Sequence, residues 1–189
     1  MQEPYNSLGL THRFMRERVR PGDFCIDATA GRGRDTALLA ALAGERGRVL
    51  GMDIQPEAVC AARALLKERG LDTVARVVLD SHENIDAYAA PGTVDLIVFN
   101  LGWLPGSDHR VSTRPESTLP ALEKSLTLLR PGGALSLCVY YGGTGTSDEK
   151  EAVLAWAREV DDKQYTALVC DFANRRGAPP IPIFITRDR

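Results

Sequence analysis

The sequence predicts an α/β fold: a doubly wound, mostly parallel sheet of seven strands with one antiparallel strand near the C-terminus. Three observations point there. Short apolar runs alternate with longer amphipathic stretches between residues 8 and 160, as when crossover helices join parallel strands. The run 94–100 is nearly all apolar, as expected of a strand covered by helices on both faces. The last two runs, 165–172 and Ile181–Arg187, are joined by eight residues, 173–180. A parallel crossover needs about a dozen or more, so the final strand must run back against the one before it.

The elements follow in order. Residues 8–19 read as a helix with Phe14 and Met15 inward, ended by Pro21-Gly22. Residues 24–28 are a short strand, 35–44 a helix rich in Ala and Leu, and Arg48–Asp53 the second strand. A helix over 56–69 has Pro56 in its first turn, where a missing N–H costs nothing, and Gly70 as its stop. Ala75–Leu79 and 94–100 are the third and fourth strands, 116–129 a helix closed by Arg130-Pro-Gly-Gly133, and 134–141 the fifth strand. The helix 148–160 offers Ala152, Leu154, Ala155 and Trp156 as an apolar side.

At 189 residues one domain spanning 1–189 is expected. Composition, 44% apolar and 25% charged, is ordinary for a soluble globular protein. No apolar run reaches the roughly 18–20 residues of a membrane span. The N-terminus lacks the basic-then-apolar pattern of a signal peptide. No membrane partner and a cytoplasmic location are therefore expected. Cys25, Cys60, Cys138 and Cys170 form no C-x-x-C pair, which argues against a metal and for small buried hydrophobes. A net charge of −2 lends no compositional support to nucleic-acid binding. Local basic clusters remain at Arg13, Arg16, Arg18 and Arg20 and at Arg175-Arg176.

In doubly wound sheets ligands bind beyond the carboxyl ends of the strands, where strand order reverses. The first loop there is Asp27-Ala-Thr-Ala-Gly31-Arg32-Gly33-Arg34-Asp35-Thr36. A dinucleotide fingerprint needs G-x-G-x-x-G, and Thr36 stands where its third glycine would be. That loop meets an anionic pyrophosphate and needs no acid at the strand end, yet Asp27 stands four residues before Gly31. S-adenosylmethionine carries an amine and a sulfonium, so an acid there makes electrostatic sense. Asp53 ends the second strand 20 residues after Gly33, where an acid can accept ribose hydroxyls, with Ile54 and Gln55 beside it. Asp80, Ser81 and His82 follow the third strand. An acid there can receive the adenine amine, and His82 can close over the ring; Asp80 also reads as a helix N-cap.

The fourth strand ends Phe99-Asn100-Leu101-Gly102-Trp103-Leu104-Pro105-Gly106. An apolar strand running into Asn, Gly, an aromatic and Pro resembles the N-P-P-Y element of amino-group methyltransferases. There the Asn oxygen and a following carbonyl hold the target nitrogen with its lone pair toward the methyl group. Trp103 offers a face for a base or a cationic amine. No Cys lies on this loop, which argues against methylation of a pyrimidine carbon, a reaction that needs a thiolate nucleophile.

Together these segments resemble the Rossmann-like class I methyltransferases long labelled rRNA methylases, over nearly the whole chain from Phe14 to Arg187. The carrying motifs are Asp27-Ala-Thr…Gly-x-Gly-x-Asp-Thr36, Gly51-Met-Asp-Ile-Gln55, His82-Glu-Asn-Ile85 and Phe99-Asn-Leu-Gly-Trp-Leu-Pro-Gly106, with Asp108 and Thr113-Arg-Pro-Glu-Ser-Thr118. Characterised members are similar to MnmM/YtqB enzymes, which methylate the amine of 5-aminomethyl-2-thiouridine at the tRNA wobble position. The resemblance implies an S-adenosylmethionine-dependent tRNA N-methyltransferase with Asn100 as its catalytic residue. It implies a cofactor site of Asp27, Gly31, Arg32, Gly33, Arg34, Asp35, Asp53, Ile54, Gln55, Asp80, Ser81 and His82. Leu101, Trp103, Tyr141, Arg175 and Arg176 would meet the substrate, the last two at the anticodon region. Arg32 and Arg34 replace asparagines usual in the family. Tyr140-Tyr141-Gly142-Gly143 replaces its Tyr-His-Gly-His. Strand edges and the helix 8–19 could pair two copies as a homodimer. Competing readings are an rRNA, small-molecule or protein N-methyltransferase and, in another class, an NAD-dependent oxidoreductase.

Overall fold

Helices begin where the orphan N–H groups of a first turn find an acceptor or are dispensed with. Asn6 caps α1 (Ser7–Arg18) by accepting from the Gly9 N–H at 2.7 Å. Pro56 and Pro115 open α3 (Pro56–Glu68) and α4 (Pro115–Leu128), where no N–H is needed. α2 (Arg34–Ala43) starts after Gly33 and stops at Gly44, and α5 spans Ser147–Glu159. The computed structural model describes residues 5–102, 112–142 and 147–188.

The strands are β1 (Phe24–Asp27), β2 (Arg48–Asp53), β3 (Ala75–Leu79), β4 (Val94–Leu101), β5 (Leu129–Val139), β6 (Tyr165–Val169) and β7 (Ile181–Arg187). They form one sheet in the order β3-β2-β1-β4-β5-β7-β6. β7 runs antiparallel to both β5 and β6, and the other neighbours pair in parallel. The expected architecture, reversed strand included, is the observed one.

The chain winds outward from β1 to β3, then returns to lay β4 against the other side of β1. The loops leaving β1 and β4 therefore part, and a crevice opens at their carboxyl ends. Side chains of β4 alternate between two apolar layers: Ile97 and Phe99 pack with Ile26, Leu50 and Leu122, while Leu96 and Val98 pack with Met15, Leu39 and Leu66. Each such fully buried side chain contributes about 1.5–3 kcal/mol. That rigid slab is what holds the crevice's polar groups in place.

Several local expectations change. Met15 is buried, but Phe14 is only partly covered and stacks on Phe184 at 4.3 Å. A 3-10 turn, His82–Ala87, follows β3, and Ser81 rather than Asp80 caps it. Only Cys25 and Cys138 are buried; Cys60 is exposed and Cys170 half-exposed. The inward stripe of α3 is Ala58, Val59, Ala62 and Leu66, which turns Cys60 to solvent. α1 turns Ser7, Gly9, Thr11 and Met15 inward and packs against β5 and β7. Among the described residues no helix is long and apolar enough to cross a membrane.

Candidate active site

The loop after β1 is strapped to both neighbouring strands. The Ala30 N–H donates to the Met52 carbonyl and the Gly31 N–H to Asp53 Oδ2, both at 2.8 Å. The Asn100 N–H donates to Thr29 Oγ1 at 2.6 Å. Gly33 turns into α2 with φ +81°, and a Cβ there would meet Ala62 Cβ at 2.8 Å. Glycine is thus required both by the turn and by the approach of α3. Arg32 and Arg34 alternate with the two buried glycines and are exposed.

Asp27 lies beneath this loop. It is fully buried, accepting from the Thr36 hydroxyl at 2.6 Å and the Thr29 N–H at 3.3 Å. Burial, and then the nearby Asp35 carboxylate, push its pKa up to about 7. The expectation that Asp27 faces a ligand amine is corrected: with no exposed surface, it braces the loop against the first turn of α2.

Along the β2–β3 bank, Asp53 is half-buried, with Gly31 on Oδ2 and the Gln55 N–H on Oδ1 at 2.9 Å. Each oxygen keeps a lone pair, so the fixed carboxylate can still take ribose hydroxyls. Gln55 is half-buried next to it, and Ile54, 55% exposed, forms an apolar rim. Asp80 accepts from the Tyr88 hydroxyl at 2.6 Å, from Asn84 Nδ2 at 2.8 Å and from the Ser81 N–H at 2.8 Å. The Tyr88 bond above all holds its carboxyl below the usual range. Asp80 therefore organises the 3-10 turn. Ser81 is half-buried, its hydroxyl shared with Glu83.

His82 is 8% exposed and sits edge-on to Phe99, with ring centroids 5.8 Å apart. Burial holds its pKa down, and Nε2 meets no partner among the described residues. An orphaned buried nitrogen costs stability until something completes it. Beside Asp53 and the Gly31 turn, it fits an adenosine-bearing cofactor.

The other bank is the end of β4. Asn100 is half-buried, and its Nδ2 donates to Asp35 Oδ2 at 2.9 Å. Asp35 Oδ1 meets His12 Nε2 at 2.9 Å. A carboxylate only accepts, so the amide must turn its NH2 to Asp35 and its oxygen away. Asp35, expected at the cofactor, is the common acceptor of Asn100 and His12. Leu101, expected at the substrate, is fully buried, because the period of two that turns Asn100 to the crevice sends its neighbour into the core. Its carbonyl is also taken by the Tyr140 N–H at 2.8 Å. Gly102 has φ +138°, and a Cβ there would lie 2.9 Å from Tyr140 Cβ.

Beyond Gly102 the chain is closed by a clamp. The Gly102 N–H donates to Thr113 Oγ1 at 2.7 Å, and the Thr113 N–H returns to the Gly102 carbonyl at 3.0 Å. The Thr113 and Thr118 hydroxyls then donate to the two oxygens of Glu149, each at 2.6 Å. Glu149 is fully buried, and burial raises its pKa. Trp103 and Asp108 lie outside the described residues.

A buried orphan imidazole thus stands on one bank of the crevice and an oriented Asn amide on the other. Residues 49–186 match the family model described as "Putative rRNA methylase". The chain belongs to this rRNA methylase family. It is similar to a family protein of Clostridium thermocellum at 42% identity, with 97% of this chain and 98% of that one covered and a TM-score of 0.94. A methyltransferase of Streptococcus mutans, crystallised with SAH, is 32% identical over 97% of this chain and 99% of that one, TM-score 0.88. The chloroplastic tRNA (mnm(5)s(2)U34)-methyltransferase of Arabidopsis thaliana is 29% identical over 95% of this chain and 69% of its own length. The protein is an S-adenosylmethionine-dependent methyltransferase, and the nicotinamide alternative falls. Asp53, Ser81, His82 and the Gly31–Gly33 turn are the residues fit to hold the cofactor.

In this rRNA methylase family member, the remaining expected substrate residues stand after β5 and between β6 and β7. Tyr141 is half-buried, with Lys150 Nζ 4.7 Å over its ring. Arg175 donates to the Tyr5 carbonyl at 2.5 Å and lies 4.7 Å over the Phe172 ring, and Arg176 is exposed. Arg13 lies 4.7 Å over the Tyr5 ring and donates to its hydroxyl at 3.2 Å. Two arginines and an aromatic ring 63% exposed thus form one surface. Sequence reasoning overlooked His12 and Glu149, and gave Thr29, which stands in the Asp27-Ala-Thr motif, no role of its own. Their partners stand 23, 31 to 36 and 71 residues away, so local spacing does not reveal the pairings.

Proposed function

We propose that this protein methylates RNA in the cytoplasm, at the amino nitrogen of 5-aminomethyl-2-thiouridine in the wobble position of tRNA. The observation that carries the reading is the Asn100 amide, whose oxygen is turned away from Asp35 by the Nδ2 bond. An oriented acceptor suits a nucleophile bearing N–H, and positioning of this kind supplies much of the rate. The Arg13–Tyr5–Arg175 surface supports an RNA partner, since cations meet phosphates and an exposed ring can stack on a base. The name of the Arabidopsis relative supports the wobble uridine. The family description favours ribosomal RNA as the second reading.

Labelled S-adenosylmethionine supplied with tRNA bearing the free aminomethyl group, and in parallel with unmethylated ribosomal RNA, separates them. Label appearing in the wobble nucleoside, read by mass, is expected. Label in ribosomal RNA alone would overturn the tRNA assignment. Phosphate contacts should also make tRNA affinity fall steeply with salt.

A further inference from the structure

We propose that His12 and Asp35 together accept the proton that the substrate's amino group must lose before it can be methylated, Asp35 touching the nitrogen and His12 standing behind it. The inference rests on the amine reading above. An alkylamine with a basicity near that of lysine, pKa about 10.4, is almost wholly ammonium at neutral pH and then has no lone pair to offer. Something in the crevice has to attract that cation and unload it.

The geometry points to this pair. Asp35 is nine-tenths buried, with Oδ2 on Asn100 Nδ2 and Oδ1 on His12 Nε2, both at 2.9 Å. Nδ2 and Oδ1 of Asn100 are bonded to one carbon, and a substrate nitrogen seated on the amide edge that they share would reach both Oδ1 and the Asp35 carboxylate on Nδ2. His12 keeps 23% of its side chain exposed and can pass a proton on to water. α1 carries it into place: Asn6 caps the helix, and the Ser7 hydroxyl ties it to the Pro180 carbonyl at 2.5 Å.

The other titratable groups around the pair are poor acceptors. Asp27, beneath the loop, is sealed from the crevice. The Tyr140 phenol and the Cys138 thiol, beyond β4, are both pushed up by burial and stay protonated. Arg16 on α1, donating to the His12 carbonyl, is already a cation. His82 and Asp80 belong to the opposite bank.

The step balances. The ammonium R–CH2–NH3+ gives up one proton, which ends on the imidazole, and the pair goes from a net charge of −1 to an imidazolium–carboxylate of net charge 0. The freed lone pair forms the N–CH3 bond while the electrons of the S–CH3 bond stay on sulfur. The products are a secondary ammonium and a thioether. His12 acts through Asp35 and is a positioning residue; Asp35 is the group in contact with substrate.

The test compares wild type with His12→Asn and Asp35→Asn, using SAH, tRNA with the free aminomethyl group, and unmodified tRNA. For His12→Asn, affinities for SAH and for aminomethyl tRNA should hold, while single-turnover transfer at pH 7 drops about 100-fold, the scale of general-base catalysis. The deficit should shrink steadily toward pH 9.5, where about a tenth of the amine is already neutral in solvent, against well under a thousandth at pH 7. Asp35→Asn should erase a preference of about tenfold for aminomethyl over unmodified tRNA, the scale of one charge-assisted hydrogen bond. A His12→Asn enzyme as fast as wild type at pH 7, or one whose deficit is constant with pH, overturns the inference while leaving the amine reading intact. Wild-type enzyme that transfers nothing to aminomethyl tRNA overturns both. Should His12→Asn lose SAH affinity, His12→Gln is judged by the same pH criterion.

Discussion

The two banks of the crevice are assembled by different means. At the ends of β2 and β3, polar groups are satisfied by near neighbours: Asp53 by Gln55, and Asp80 by Ser81, Asn84 and Tyr88. One longer strap, Gly31 to Asp53, joins that bank to the β1 loop. At the end of β4 the partners come from afar. Asp35 and Asn100 are 65 residues apart, Thr29 and Asn100 71, and Thr113 and Glu149 36. The cofactor bank is written into short stretches of chain, whereas the acceptor bank exists only once the whole sheet has closed. Binding of cofactor and delivery of methyl should therefore be separable by mutation.

Replacing Asn100 tests that separation hardest. Asn100→Ala should lower turnover on aminomethyl tRNA about 100-fold or more, with calorimetric SAH affinity preserved. Loss of SAH affinity with turnover at saturation intact would move Asn100 to the cofactor bank and erase the distinction.

Asp53→Ala is the mirror experiment. It should weaken SAH binding by about 1–3 kcal/mol, the loss of charge-assisted hydrogen bonds, and leave tRNA affinity alone. Unchanged SAH affinity removes Asp53 from the cofactor site.

Glu149→Gln asks whether the acceptor bank depends on tertiary closure. Glutamine offers one acceptor to two threonine hydroxyls, so one buried donor is left facing an NH2 group. A loss of about 1–3 kcal/mol in urea denaturation is expected, with SAH affinity little changed in the folded protein. No loss would show that the clamp contributes nothing to stability.

The smallest effect concerns the loop between the banks. The folded protein holds the Asp27 proton up to about pH 7, against a reference value of 3.8. Between those values the folded state binds more protons than the unfolded, so stability falls as pH rises through the window and the cost is complete above it. Asp27→Asn should lose less stability than wild type between pH 4.5 and 7.5. Equal slopes in urea titrations would mean that Asp27 ionises freely beneath the loop.

The same contrast governs what was legible in the sequence. The alternation of strands and helices, the reversed β7 and the positions of Asp53 and Asn100 at strand ends follow from period, spacing and loop length, all local quantities, whereas the strand order does not. The reading went astray where a side chain's partner is remote. Asp27 and Asp35 look alike as acids flanking a glycine turn, yet Thr36 seals one and His12 with Asn100 engages the other. Leu101 sits next to a site residue in the chain, but the strand runs one residue further than expected, so its side chain belongs to the core. His12, eight residues into the described chain, carried no motif at all.

The clamp of Gly102, Thr113 and Glu149 has a mechanical corollary. It fastens Gly102 to Thr113 and both to the buried start of α5. A pull on the chain arriving at Thr113 is therefore borne by α5 and the end of β4 together, like a rope made fast to two cleats, and Asn100 keeps its place on the strand.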